Sequence, residues 1–403
     1  MIASTLAALV VSVSASESRL LRADLRFATL YYSGQAGIEL GLRALADAQG
    51  CPLSRIATLS PAGDSLDVRV GRRGQFCLIE STARRGRAMR AFEAMVGGVP
   101  DSSLSLTVNL GDRRAGLTVA DNARLHGPVS VGAAGVRSER LKGRRFRGTF
   151  DVQLDSTDQF QFPSVDGAQI RRSVSKDLER ASQCLADGRA NCPGNPDAVV
   201  DRLSVKLDTV LFEGNLTLRS ATLPRGSTII ASGLLTLDDV TGTDLLFIGK
   251  SVRIANSSFT GQVVAEHRAS LAATRLSYPS VVVVAGDSTS TDYAVALTIS
   301  DHTRIDGTVL HLDPGSSTVL SIDESSSVRG LVYTSGLLNS QGTIRGTAAP
   351  WRFYFYESPA HYYNWIRDGR HDNDRPSDYA VPVAIATGSK QPIYVTETEW
   401  RRF

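Results

Sequence analysis

A pentapeptide of the form apolar-x-Gly-x-Val recurs along this chain and narrows its folding options more than any other feature. It reads Leu125-His-Gly-Pro-Val, Phe259-Thr-Gly-Gln-Val, Ile305-Asp-Gly-Thr-Val and Val328-Arg-Gly-Leu-Val, with Ile344-Arg-Gly-Thr-Ala as a degenerate fifth copy. Glycine supplies the positive φ that a sharp corner needs, and the β-branched residues beside it suit a stacked interior. Between the copies lie short Val-, Leu- and Ile-rich stretches at 216–218, 228–230, 234–237, 245–248, 252–254 and 281–284. Short strands, frequent glycine corners and few helical stretches predict a solenoid in which each coil adds a strand to each face. The spacing is uneven, so an irregular β-helix over residues 111–350 is expected, with a β-sandwich as the alternative. The fold class is therefore mainly β, preceded by a long N-terminal α-helix.

That helix is read from residues 2–49, which contain no proline. Residues 2–15 carry no charge, and apolar residues then recur at helical spacing through Leu21, Leu25, Ala28, Tyr32, Ala36 and Leu40. Gly50 and Pro52 end the pattern. The fourteen uncharged residues at 2–15 span about 21 Å, short of a hydrocarbon core of about 30 Å. A signal peptide with Ser14-Ala15-Ser16 at its cleavage point, a buried core helix, and a membrane helix that continues upstream are the three readings of this segment. The unbroken periodicity beyond it favours the third, a rod of about 45 residues running from lipid onto a globular head. Gly37 and Gly41 lie one turn apart and permit close approach of another helix, or packing of this helix on its own head.

Downstream, residues 66–70 alternate apolar and polar, and residues 76–80 and 91–96 supply strands to pair with them. The expected head is a small antiparallel sheet within residues 51–110. Two stretches resemble PilX-like pilus-assembly proteins and related pilin-like envelope proteins. Tyr31-Tyr-Ser-Gly-Gln-Ala-Gly-Ile-Glu-Leu-Gly-Leu is similar to that family's N-terminal helix, and the segment at 76–96 is similar to its strand pair. The resemblance covers about the first 100 residues. Gln35 stands where the family carries Glu, and the sequence holds no Gly-Phe-Thr-Leu-Ile-Glu prepilin-peptidase site. The glycine repeat resembles, more loosely, the coils of bactofilin-like polymer-forming β-helices. These resemblances imply a bacterial cell-envelope protein, anchored in the inner membrane with an extracytoplasmic ectodomain. They further imply a structural, adhesion or assembly role, with membrane, pilin-like proteins and surface polysaccharide as partners.

The four cysteines fall into two local pairs, Cys51/Cys77 and Cys184/Cys192, which suits two disulfides in an oxidising compartment. Neither pair has metal-site spacing, and no metal or cofactor is expected. Residues 166–201 interrupt the β pattern, and residues 170–186 within them show helical periodicity, so an insertion closed by the Cys184/Cys192 loop is predicted. The net charge is +3, too small to point to nucleic acid. The basic cluster at 137–147 reads as a solvated edge.

From residue 351 to the C-terminus the expectation is an aromatic-rich cap. Eight aromatic residues fall within residues 351–365, including Trp351, Tyr354, Tyr356, Tyr362 and Trp365, against 7% for the chain. They would close the open end of the solenoid or form a platform for stacking sugars or partner groups. Asp368, His371, Asp372, Asp374 and Asp378 are oxygen-rich but lack the order of a calcium loop. No nucleophile lies in a recognisable motif with a base. Asp238-Asp239 and Asp301 with Asp306 could supply paired carboxylates of the kind used by polysaccharide lyases and hydrolases, and His267 and His311 follow repeats, but aspartate favours turns. A non-enzymatic protein is expected, with a secreted β-helical carbohydrate-binding or carbohydrate-active protein as the alternative.

Overall fold

The computed structural model of the protein describes residues 2–46, 51–100, 102–114, 116–139, 148–154, 162–184, 197–201, 209–286, 292–313, 315, 317–374, 380–385 and 390–401. Two compact units are present, Met1–Gly97 with Ser389–Phe403, and Gly98–Gly388.

In the first unit α1 is one unbroken helix, Ile2–Ala46, as its proline-free periodicity predicts. Its later turns bury Phe27, Leu30, Ile38 and Leu45. They pack against a sheet made of β1 (Ser54–Leu59), β2 (Ser65–Arg73), β3 (Phe76–Arg85) and β4 (Ala88–Gly98), all antiparallel neighbours. On β2, Leu66, Val68 and Val70 face inward in the alternation read from the sequence. The helix lies close to the sheet because its facing positions are small. A Cβ on Gly37 would meet the Leu66 side chain at 3.0 Å, and one on Gly41 would meet Ile79 at 2.5 Å. These glycines thus serve packing of α1 on its own head. Ser81 Oγ donates to the Gly34 carbonyl at 2.7 Å. Ser33 Oγ donates to Asp64 Oδ2 at 2.6 Å, and this fully buried carboxylate also receives the Arg85 guanidinium. The Cys51–Cys77 disulfide ties the chain just after α1 to β3.

Two boundaries differ from expectation. The head ends near residue 97 rather than 110, because Val108 pairs instead with Val129 and Ala348 of the second unit. The C-terminal stretch is not wholly a cap. Lys390–Arg401 forms the fifth strand of the head sheet, next to β4.

The second unit is the β-solenoid, and its parallel registers place the repeated pentapeptides on top of one another. One inward column runs Phe259, Leu276, Ile305, Val328, Ile344, His371, Leu125. A second runs Val263, Val282, Val309, Val332, Ala348, Val108, Val129. Each buried Val, Leu or Ile in these columns contributes about 1.5–3 kcal/mol of transfer free energy. Between them stand the signature glycines. Gly307, Gly330 and Gly346 are in register with each other, with φ of +152°, +138° and +130°. A Cβ on Gly346 would collide with the carbonyl of Gly330, one coil below, so the corner admits no side chain.

The stacking order is not the chain order. Arg370–Asp372 pairs with Thr343–Glu357 on one side and with Arg124–Ser130 on the other, and Thr149–Leu154 adds beyond that. The coil that follows the C-terminal windings is therefore supplied by the N-terminal part of the unit. Strands 365–367 and 117–120 reinforce this junction. The aromatic segment expected as a terminal cap lies instead inside the stack. The helix predicted in the insertion is present as α2, Gly167–Ser182, capped by Asp166 Oδ1 accepting from Gln169 N at 2.8 Å. Ile170, Val174 and Leu178 are buried where α2 lies along strands Thr228–Ala255, Ser258–Ala272 and Thr209–Phe212. Cys184, just beyond it, is buried and disulfide-bonded; Cys192 lies outside the described residues, as does most of the basic cluster at 137–147.

Candidate functional site

Strand Thr343–Glu357 continues past the solenoid corner and folds back on Ala360–Tyr363 as an antiparallel hairpin. Alternation along a strand sends successive side chains to opposite faces. Phe355 and Tyr362, directly paired, stack on one face with ring centroids 4.6 Å apart and planes 8° from parallel. Trp365 packs edge-on against both, and Arg367 lies over the Phe355 ring at 5.5 Å. With Ala120 they form a small apolar cluster that fastens the hairpin down.

The other face presents Tyr354, Tyr356, His361 and Tyr363. Tyr354 rests on Val319 and Leu337 of the solenoid wall. Tyr293, from a different coil, stacks on Tyr354 at 5.6 Å and tilts against His361 at 4.6 Å. Its hydroxyl is 2.6 Å from that of Tyr363, and Tyr354 Oη is 2.9 Å from His361 Nδ1. Burial and the hydrogen bond to Tyr293 push the Tyr363 hydroxyl up to about 12, and burial likewise raises Tyr354, so both phenols stay neutral at physiological pH. Tyr293, Tyr354, Tyr356 and His361, with Phe355, Val295, Val319, Asn339 and Gln341, bound an open groove of 480 Å³. That volume falls within the range of small-ligand sites.

The five aromatic residues singled out from the sequence are thus split. Tyr354 and Tyr356 line the groove, while Tyr362 and Trp365 lie on the hairpin's opposite face. Trp351 is elsewhere, edge-on to Phe162 at 6.2 Å. Tyr293, Asn339, Gln341 and His361 were not legible as site residues. Tyr293 is isolated in the sequence, and only the stacking of coils brings it to the hairpin.

The remaining sequence candidates fall at structural positions. Asp238 accepts from Asn256 Nδ2 at 2.9 Å, and Asp239 and Asp301 occupy corner positions with φ of +57° and +54°. Asp306 sits in register with Arg329. His267 and His311 do not share a face. His267 is half-buried beside Glu266 at 3.0 Å, whereas His311 is wholly buried between Thr334 and Thr318. His371 is wholly buried in the inward column, edge-on to Phe353 at 5.5 Å. Asp368 receives Asn122, Asp372 faces Arg370 at 3.2 Å, and Asp374 faces Arg329 at 3.7 Å; Asp378 lies outside the described residues.

No protein-family model matches the chain, and no curated protein matches it. Among solved structures, it is similar to the crystal structure of the competence-associated pilin ComZ from Thermus thermophilus. The alignment covers 93% of this chain and 96% of that one, at 10% identity and a TM-score of 0.29.

Proposed function

We propose that this is a non-enzymatic, pilin-like protein of the bacterial cell envelope, tethered through the apolar beginning of α1 and displaying the β-solenoid as its ectodomain. The observation that carries this reading is the division of α1. From Phe27 onward the helix buries one face on its sheet, but Leu20, Leu21 and Leu25 remain 59–64% exposed. The uncharged residues 2–15 precede them in the same unbroken helix. A helix that needs only its last turns for the head has no folding use for the rest, and exposed apolar surface of this kind marks contact with lipid or protein. Among the described residues no helix is long and apolar enough to cross a membrane. The proposed attachment is therefore by insertion of the apolar end, about 21 Å long, into the bilayer.

The test is limited proteolysis of the full chain bound to a membrane fraction. Trypsin cutting at Arg19 or Arg22 would release a folded fragment into the supernatant and leave the apolar peptide in the pellet. Protein found wholly in the supernatant before protease is added would refute the proposal.

A further inference from the structure

We infer that the groove bounded by Tyr293, Tyr354, Tyr356 and His361 binds the pyranose rings of a neutral glycan. This goes beyond the envelope assignment and does not depend on how α1 is attached.

Tyr356 is 54% exposed and Tyr293 is 40% exposed, although both rings are held by neighbours. Aromatic faces offered in this way give a large contact area without freezing a flexible side chain. A pyranose has a matching apolar face made by its axial C–H groups. Beside the rings, Asn339 and Gln341 are half-buried and two residues apart. Among the described residues neither side-chain amide has a protein partner. Each amide offers donors and an acceptor. Vicinal hydroxyls also donate and accept, so an amide can engage a diol on both sides. His361, whose Nδ1 is 2.9 Å from Tyr354 Oη, adds a polar ring to the lining.

The lining contains no Asp, Glu, Lys or Arg among the described residues. The guanidiniums over neighbouring rings are already paired: Arg352, over Tyr363, faces Asp112 at 2.7 Å, and Arg367, over Phe355, faces Asp121 at 3.3 Å. That selects an uncharged sugar over a uronic acid or a sulfated chain. Proline-rich peptides also dock on aromatic grooves. Their backbones offer carbonyl acceptors and few donors, so the amide oxygens of Asn339 and Gln341 would go unmet. The glycan is the better fit.

The experiment is affinity electrophoresis of the full chain in native gels containing hydroxyethyl cellulose, galactomannan or dextran. A parallel gel holds alginate, and labelled decaproline is titrated in solution. At least one neutral polymer should retard the protein, and high salt should not reverse it. Tyr356→Ala, and separately Asn339→Ala with Gln341→Ala, should weaken that retardation about tenfold or more. Trp351→Ala should leave it unchanged. Because Tyr356 is more than half exposed, its loss tests binding without endangering the fold. The inference is overturned if no neutral polymer retards the protein, if Tyr356→Ala is retarded like the parent, or if only alginate or decaproline binds.

Discussion

His371 stands in register with Leu125 on adjacent parallel strands, so the last coil wound by the chain meets the first. Both side chains are wholly buried. An imidazole has thus replaced an aliphatic rung at the junction where two distant segments complete the stack.

Two wholly buried histidines, His371 at this junction and His311 elsewhere in the stack, should make the solenoid acid-sensitive. Burial lowers the His371 imidazole to about 3, and burial, against a weaker opposing pull from Asp313, lowers His311 to about 4. The folded values lie below the ordinary 6.5, so the unfolded chain takes up protons first as pH falls. Stability is full above pH 6.5 and declines below it, by about 1.4 kcal/mol per pH unit for each histidine until its folded value is reached. Urea midpoints at pH 7 and pH 5 should show this decline. His371→Leu should remove about half of it, and an unchanged slope in that variant would contradict the assignment.

The signature corners should tolerate no side chain. Gly346→Ala combines a positive φ with a collision against the Gly330 carbonyl and should cost about 3 kcal/mol. Gly63→Ala, at φ +78° with open space around it, should cost about 1 kcal/mol. Equal costs in chemical denaturation would mean that close stacking of coils does not set the glycine requirement.

Reduction of Cys51–Cys77 should loosen the head. The bond closes a loop with a sequence separation of 26, and such a constraint is worth about 3 kcal/mol. Cys51→Ser with Cys77→Ser should accelerate hydrogen exchange in β3 and along the later turns of α1. Exchange within strand Ser327–Ser340 should stay as it was. Uniform acceleration of both would contradict a constraint confined to the head.

Much of this architecture was legible because the relevant forces are local. The α1 periodicity, the alternation on β2 and the helix at residues 167–182 each follow from one stretch of chain burying one face. The pentapeptide was legible because five coils repeat the same corner. Two coils between them were not. One carries Ser277, Tyr278 and Pro279 between Leu276 and Ser280 where the next coil has only Asp306, so the register shifts there and the motif's spacing is lost. The other is divided between the residues around Val108 and those around His371, so no continuous copy of the motif exists. The head's fifth strand and Tyr293 were missed for the same reason. Each is placed by partners remote in sequence. The aromatic run drew attention to the right hairpin, but only its pairing register, Tyr354 with Tyr363 and Phe355 with Tyr362, decides which rings are exposed and which fasten it.

The most direct test of the envelope assignment is flotation with phosphatidylethanolamine–phosphatidylglycerol vesicles. The full chain and a form lacking residues 2–16 would be layered beneath a sucrose gradient. Since Phe27, Leu30, Ile38 and Leu45 are retained, both forms should show the same head unfolding transition. The full chain should rise with the lipid and the shortened form should stay at the bottom. A full chain that remains in the dense fraction, or a shortened form that floats as well as its parent, would contradict attachment through the start of α1.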